Sequence, residues 1–340
     1  MTPVPAARVP PFGSRPFALD ASDYLIDCAG ADPTSLTRRI HEQWHARGLV
    51  ILKGTGMTHL RELADWAKIL FDDFAAYAGG SAPRDKWSAT VFGLDDAPGG
   101  IDLCFHNEGC YLPEYPRCFV IGAIKAPREG GFTLLSDNAA TTDRLTQTEV
   151  GQALKAQGVR YLRVMQDKHA DKVLGYKSWQ DTFYTEDRAV AEQAVKGNGW
   201  EFEWLANGSL RTSHRVDAYE YHEQLRRPLF FAGPASHAAF FDQWHPFNQL
   251  PDDQRPLNMT LGDGTPLRNA DLADLYAAYN TASLALDWKA VDLAMLDNLR
   301  WAHARPAYRL NAGEQRILGV TMGMLRKRLG DRPESLLRTA

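Results

Sequence analysis

One stretch, residues 118–137, limits what this chain can fold into more than any other: CFVIGAIKA, then PREGG, then FTLLSD. Two apolar runs, each short for a helix, flank a turn of proline, glycine and charged residues, which is the pattern of consecutive strands. The signature recurs as LVILKG at 49–54, VRYLRVM at 159–165, EFEWL at 201–205, AVDLAMLDN at 290–298 and RILGVTMGM at 316–324. Apolar residues at helical spacing predict helices over 33–47, 57–77, 142–157, 187–196 and 269–286, with Gly48 placed to end the first. Glycine, proline and aspartate between 81 and 100 predict loop, and the aromatic- and proline-dense segment 226–261 carries no usable period. With 44% hydrophobic residues in a chain of 340, a sizeable core can be buried, and no repeat or low-complexity linker divides it. The expectation is one domain over residues 21–330, mainly β with flanking helices, after a proline-rich arm at 1–20 and before a tail at 331–340.

A formal net charge of −4 and a pI near 6.2 argue against a nucleic-acid partner, and no basic run marks an anionic membrane surface. No apolar run approaches the roughly 18 residues of a membrane span, and the N-terminal MTPVPAARVPPFGSRPF lacks the apolar core of a signal peptide. Cys28, Cys104, Cys110 and Cys118 form no CxxC pair, so neither a zinc ribbon nor a disulfide framework is indicated. A cytoplasmic protein acting on a small molecule is expected, with monomer and homodimer both open.

Three histidine motifs compete for chemistry. FHNEGCY, residues 105–111, sets His106 and Glu108 two apart, and on an extended segment such residues project to one face and reach one ion. A buried histidine paired with a carboxylate is the alternative. His169-Ala-Asp171 repeats the spacing inside QDKHADK, where a solvated loop is the natural reading. HEQWH, residues 41–45, spells the HExxH of zinc peptidases, with Glu42 as base and Glu62 as a third ligand. Gly48 ends that helix within a turn, Gln43 replaces an apolar residue and TRRI before it is charged, so an amphipathic surface helix is expected instead.

A second cluster far downstream, LDNLRWAHARPAYRLNAGEQRILGV at 296–320, completes a larger pattern. HxE, a strand, GGFT, a long insertion, DNxxxxHxR and QRIL, in that order from about residue 49 to 324, resemble the taurine dioxygenase family of iron(II)- and 2-oxoglutarate-dependent oxygenases. HNEGCY, SWQDTFYTED and WLANGSL are most similar to its syringomycin-type hydroxylase branch. The resemblance implies a double-stranded β-helix, or jelly-roll, core of the clavaminate synthase-like type. It implies Fe(II) held by His106, Glu108 and His303, a facial triad that leaves positions for the keto acid and O2. Arg316 matches the position that pairs with the distal carboxylate of 2-oxoglutarate, and Thr133 the threonine that assists it. The implied reaction is oxidation of an unactivated C–H bond by hydroxylation, desaturation or cyclisation, in natural-product biosynthesis. Its substrate is an amino acid or derivative, free or tethered to a carrier protein. Halogenation is disfavoured because Glu108 fills the position a halide needs. The chain departs from the family at Val291-Asp292, where a Gly-Asp pair is common, and at His303-Ala304-Arg305, where HGR is common. A Trp-Phe-Asn element of the related branch is replaced near LFFAGPASHAAFF. An HExxH zinc hydrolase and a non-catalytic binding protein on the same fold remain the competing readings.

Overall fold

Helix α1 (Pro33–Arg47) begins and ends where its sequence requires: the Asp32 side chain accepts the Ser35 N–H at 2.8 Å, proline takes the first turn, and Gly48 turns left-handed at φ 64°. The computed structural model describes residues 4–13, 17–75, 86–94, 97–170, 174–233 and 239–332. Strand β2 (Leu49–Lys53) follows α1 at once and enters a six-stranded sheet. Its order is β1 (Leu25–Asp27), β2, β14 (Leu293–Asp297), β5 (Glu114–Lys125), β16 (Ile317–Lys327) and β3 (Phe92–Gly93), antiparallel except for β1 with β2.

A second, four-stranded antiparallel sheet runs β13 (Ser283–Leu286), β6 (Thr133–Asp137), β15 (Trp301–Arg305) and β4 (Leu103–His106). The two sheets share one core. Leu49, Ile51, Phe119, Ile121, Leu296 and Val320 of the first meet Leu135, Leu284, Leu286 and Trp301 of the second. The alternate residues Val50, Leu52, Val120, Leu293 and Met295 face outward onto Leu36 and Ile40 of α1 and onto α2 (Leu63–Ala67). Burial on both faces is why LVIL and LAML read as unbroken apolar runs, each Leu, Val, Ile or Met side chain contributing about 1.5–3 kcal/mol. Facing sheets of this kind form the jelly-roll core expected above.

Between β6 and β13 the chain makes a long excursion. It carries α3 (Asn138–Leu145), α4 (Glu149–Gln157), the hairpin of β10 (Tyr219–His222) with β11 (Arg227–Phe230), and α7 (Asn269–Asn280). It also builds a third sheet in the order β12 (Leu257–Leu261), β7 (Val159–Met165), β9 (Leu210–Val216), β8 (Glu201–Trp204). Met165 and Leu210 of that sheet pack against Trp179 of α5 (Trp179–Phe183), and Ala191 and Val195 of α6 (Arg188–Gly197).

His214, on β9, donates from Nε2 to the Tyr111 carbonyl at 2.6 Å and stacks on Trp200 at 4.6 Å. Burial, helped by the positive charge of Arg163, Arg328 and Arg160, pushes its pKa down to about 4. The unfolded chain therefore binds a proton near pH 6.5 that the fold refuses until pH 4. Stability should fall by about 3 kcal/mol as pH drops through that window. Urea unfolding of the wild type and His214→Gln from pH 7 to 4 checks this: the variant should show the shallower loss, and equal slopes would mean that folding leaves the imidazole unperturbed.

Several local expectations are corrected. Residues 57–77 do not form one helix. A 3-10 turn at Leu60–Glu62 leads into the five-residue α2, after which Phe74 bridges to Gly323 and the Ala75 N–H donates to the Met322 carbonyl at 2.8 Å. The Phe71 ring occupies the place of a Gly323 side chain, so contact with β16 overrides helical spacing; residues 76 and 77 lie outside the described set. The stretch 142–157 is two helices, because Thr148 caps α4 by accepting the Gly151 N–H at 3.1 Å. The helix from 269 stops at Asn280, and alternating Leu284 and Leu286 are strand β13. Strand β3 interrupts the expected loop of 81–100, of which 81–85, 95 and 96 lie outside the described residues.

The proline-rich arm lies along the body where it is described. Arg8 makes ion pairs with Asp242 at 2.7 Å and Asp252 at 2.8 Å, Phe12 meets Phe105 edge-on, and the Asn280 side chain donates to the Pro11 carbonyl at 3.1 Å. Residues 333–340 of the tail lie outside the described set. Among the described residues no helix is long and apolar enough to cross a membrane.

Candidate metal centre and its cleft

Strands β4 and β15 are hydrogen-bonded neighbours, and their register sets His106 directly opposite His303. The ring centroids are 4.3 Å apart. His303 shares the inner face with Trp301, two residues before it, and stacks on Phe119 of the facing sheet at 4.7 Å and 23°. His106 presents Nδ1 to the Cys104 carbonyl at 2.9 Å; a carbonyl only accepts, so Nδ1 carries the proton and Nε2 is the nitrogen that could bind a metal. Glu108 comes from a different geometry than expected: β4 ends at His106, and Asn107 and Glu108 start a turn. The turn still brings the carboxylate in. His106, Glu108 and His303 each offer a ligand atom within 4.8 Å of the others, and theirs is the one such group found among the described residues.

A chain of buried amides holds this turn. Asn298 accepts the Glu108 N–H through Oδ1 at 2.8 Å and donates from Nδ2 to the carbonyls of Glu108 at 2.8 Å and Pro116 at 2.9 Å. Asn107 donates to the Asn298 and Trp301 carbonyls at 2.5 and 3.2 Å, and Asn138 to Asn107 Oδ1 and the Leu299 carbonyl at 3.2 and 2.8 Å. The turn bearing Glu108 is thus laced to the loop between β14 and β15. Asp297 anchors the loop. Burial alone would raise its pKa, but Arg117, at 2.6 and 2.5 Å, and His222, at 3.1 Å, hold it well below the usual carboxylate range. Sequence reading missed this lacing; its trace was the DN of DNxxxxHxR. Asn298→Ala should weaken divalent-metal binding by about 10–100-fold, the usual effect of losing a group that orients a ligand. Calorimetric titration with Mn(II) measures it, and unchanged affinity in a folded variant would reject the role.

Of the residues expected for the keto acid, Thr133 lies farther along the same sheet and Arg316 just before β16 of the facing one. Leu135 of β6 is paired with His303, and Thr133 is two residues beyond on the same face, about 7 Å along the strand. Its hydroxyl accepts the Trp288 indole N–H at 3.0 Å. Arg316, just before β16, donates from Nε to the Gly131 carbonyl at 2.9 Å. Gly130 and Gly131 have φ of 67° and 70°, and a Cβ at Gly131 would stand 2.6 Å from Pro127 Cγ, so the GG pair is needed for this turn. The terminal guanidinium nitrogens of Arg316 are buried, and burial pushes its pKa down to about 9. Arg305 instead donates to the carbonyls of Ala97, Pro98 and Ile101 at 2.8–3.1 Å, a structural task.

From Glu108 a cleft of about 860 Å³ opens outward between the ends of β5 and β16 and the α5–α6 pair. Its walls are largely apolar, with Leu112, Pro116, Phe183, Tyr184 and Leu325 among them.

The rival motifs lie elsewhere. Glu42 and His45 are exposed on α1, Glu42 pairs with Arg38 at 3.1 Å, His45 meets Gln224 at 3.1 Å, and Glu62 accepts the Thr58 N–H at 2.8 Å. His169 faces Glu186 at 3.1 Å on the surface, and Asp171 lies outside the described residues.

Against known proteins, residues 14–322 match the family described as "Taurine catabolism dioxygenase TauD, TfdA family". The chain belongs to this family. It is an iron- and 2-oxoglutarate-dependent dioxygenase, an oxidoreductase. Among TauD/TfdA-like relatives, a clavaminate synthase-like protein of Arabidopsis thaliana is 26% identical over 307 residues, covering 89% of each chain. The dapdiamide synthesis protein DdaC of Enterobacter agglomerans is 24% identical over 283 residues, covering 79% of this chain and 81% of DdaC. The crystal structure of PvcB from Pseudomonas aeruginosa shares the fold with a TM-score of 0.50 at 16% identity, over 88% of this chain and 84% of PvcB.

Proposed function

We propose that this dioxygenase oxidises an unactivated C–H bond of an amino acid or amino-acid derivative, free or carrier-bound, with His106, Glu108 and His303 as the iron ligands and Arg316 and Thr133 as contacts of 2-oxoglutarate. The observation that carries the reading is the convergence of those three side chains, their ligand atoms within 4.8 Å of one another, beside an apolar cleft that Glu108 lines. The donor set suits the metal: two imidazoles and one carboxylate make a facial triad for Fe(II). The other end suits the co-substrate: a buried guanidinium, disfavoured by its own burial, regains stability beside a carboxylate. His106, Glu108 and His303 would hold the iron, which would supply the oxidant for the C–H bond by coupling O2 reduction to oxidative decarboxylation of 2-oxoglutarate.

The chain's own residues prepare that chemistry. Cys104 fixes the His106 tautomer, Phe119 fixes the plane of His303, and the Asn298 clamp fixes the backbone of Glu108. Leu112, Pro116 and Phe183 give the cleft an apolar lining. An amino-acid-derived substrate in natural-product biosynthesis is supported by the likeness to DdaC, named for dapdiamide synthesis.

The deciding experiment supplies the reconstituted Fe(II) protein with 2-oxoglutarate and O2 and screens amino acids and their derivatives for stimulated succinate formation, with mass spectrometry of products. Gain of one oxygen identifies hydroxylation, and loss of two hydrogens identifies desaturation or cyclisation. Bound zinc without 2-oxoglutarate turnover would sink the proposal in favour of a hydrolase.

A further inference from the structure

We propose that Tyr308 is a positioning residue for the co-substrate: its ring holds the Arg316 guanidinium ready for the distal carboxylate of 2-oxoglutarate. The inference rests on the role given to Arg316 above.

The Arg316 guanidinium carbon lies 5.2 Å from the centroid of the Tyr308 ring, and that of Arg305 lies 5.2 Å from the same centroid. Both are within the range at which the negative face of an aromatic ring attracts a cation. The ring has a prepared seat. The Tyr308 N–H donates to the Gly99 carbonyl at 2.7 Å, a Cβ at Gly99 would stand 3.1 Å from the ring's Cζ, and a Cβ at Gly130 would stand 3.3 Å from Tyr308 Cβ. The next residue, Gly131, accepts from Arg316 Nε and leaves room for its stem, since a Cβ there would lie 3.3 Å from Arg316 Cδ. One double-glycine turn therefore seats both the tyrosine and the arginine.

An arginine side chain loses much rotamer freedom when it is fixed, and that loss otherwise falls on ligand binding. Here a carbonyl constrains one nitrogen and a ring constrains the group before any carboxylate arrives. The ring also displaces water, which strengthens the ion pair that forms.

The test is calorimetric titration of the Mn(II)-loaded protein, which binds without turnover, with 2-oxoglutarate and with pyruvate, a keto acid that lacks the distal carboxylate. Tyr308→Ala should weaken 2-oxoglutarate by roughly five- to thirtyfold, while Tyr308→Phe, which keeps the ring, stays within about twofold of wild type. Affinities for pyruvate and Mn(II) should not change. Wild-type 2-oxoglutarate affinity in Tyr308→Ala overturns the proposal. So does an equal loss in Phe and Ala, or a parallel loss for pyruvate or Mn(II). Arg316→Leu in the same titration separates the two claims. If it binds 2-oxoglutarate normally, the role of Arg316 is wrong and Tyr308 falls with it; if it binds weakly while Tyr308→Ala does not, the proposal for Tyr308 alone fails.

Discussion

Alanine at His106, Glu108 or His303 is expected to abolish 2-oxoglutarate turnover and to lower Fe(II) affinity by more than about 100-fold, since even the loss of a group behind a ligand costs 10–100-fold. Each variant removes one of three donors whose ligand atoms lie within 4.8 Å of one another. The proteins should remain folded, because His303 and Glu108 stand on elements fixed by strand pairing and by the Asn298 clamp rather than by a metal. Iron content after dialysis, read beside circular dichroism, checks the point. His41→Ala and His45→Ala are the controls and should retain all of the metal. Full iron occupancy with normal turnover in His106→Ala would require the triad to be redrawn, and metal loss in the α1 variants would point to the HExxH helix.

Arg316→Leu is expected to cost about 2–5 kcal/mol in 2-oxoglutarate binding, the usual penalty for stranding one buried partner of a charge pair, with iron binding intact. The penalty is large because the guanidinium nitrogens are buried and water cannot replace the lost cation. Thr133→Val should cost less, about 0.5–3 kcal/mol. Folding stability should fall as well, because the Trp288 indole N–H that Thr133 accepts is left unsatisfied in the core. Equal apparent affinities for 2-oxoglutarate in wild type and Arg316→Leu would remove the assignment.

How much of this was legible in the sequence depended on whether a feature was local. Helix α1 carries its cap, its proline and its stop between Asp32 and Gly48, and was readable outright. Buried strands such as β2 and β14 announced themselves by unbroken apolar runs. Strand β15 did not: WAHAR is buried throughout, yet histidine and arginine interrupt its apolar pattern, so it registered as a motif and not as a strand. The grouping of His106, Glu108 and His303 was reached through motif order, while the reason it works is register, which pairs residues from distant parts of the chain. The role of Asn298 lay beyond sequence reading for the same reason, since its partner Glu108 is 190 residues away. Tyr308 gave no sign at all, because two arginines at 305 and 316 converge on it only after the chain has folded.

The α5–α6 pair walls the cleft but rests on the third sheet, and none of that sheet's strands pairs with β4 or β15, which carry His106 and His303. This wall of the cleft and the three proposed iron ligands therefore sit on separate elements of the fold. If substrate enters by this cleft, a transplant of residues 179–197 from a relative should alter which compounds stimulate succinate formation while iron content stays at the wild-type level.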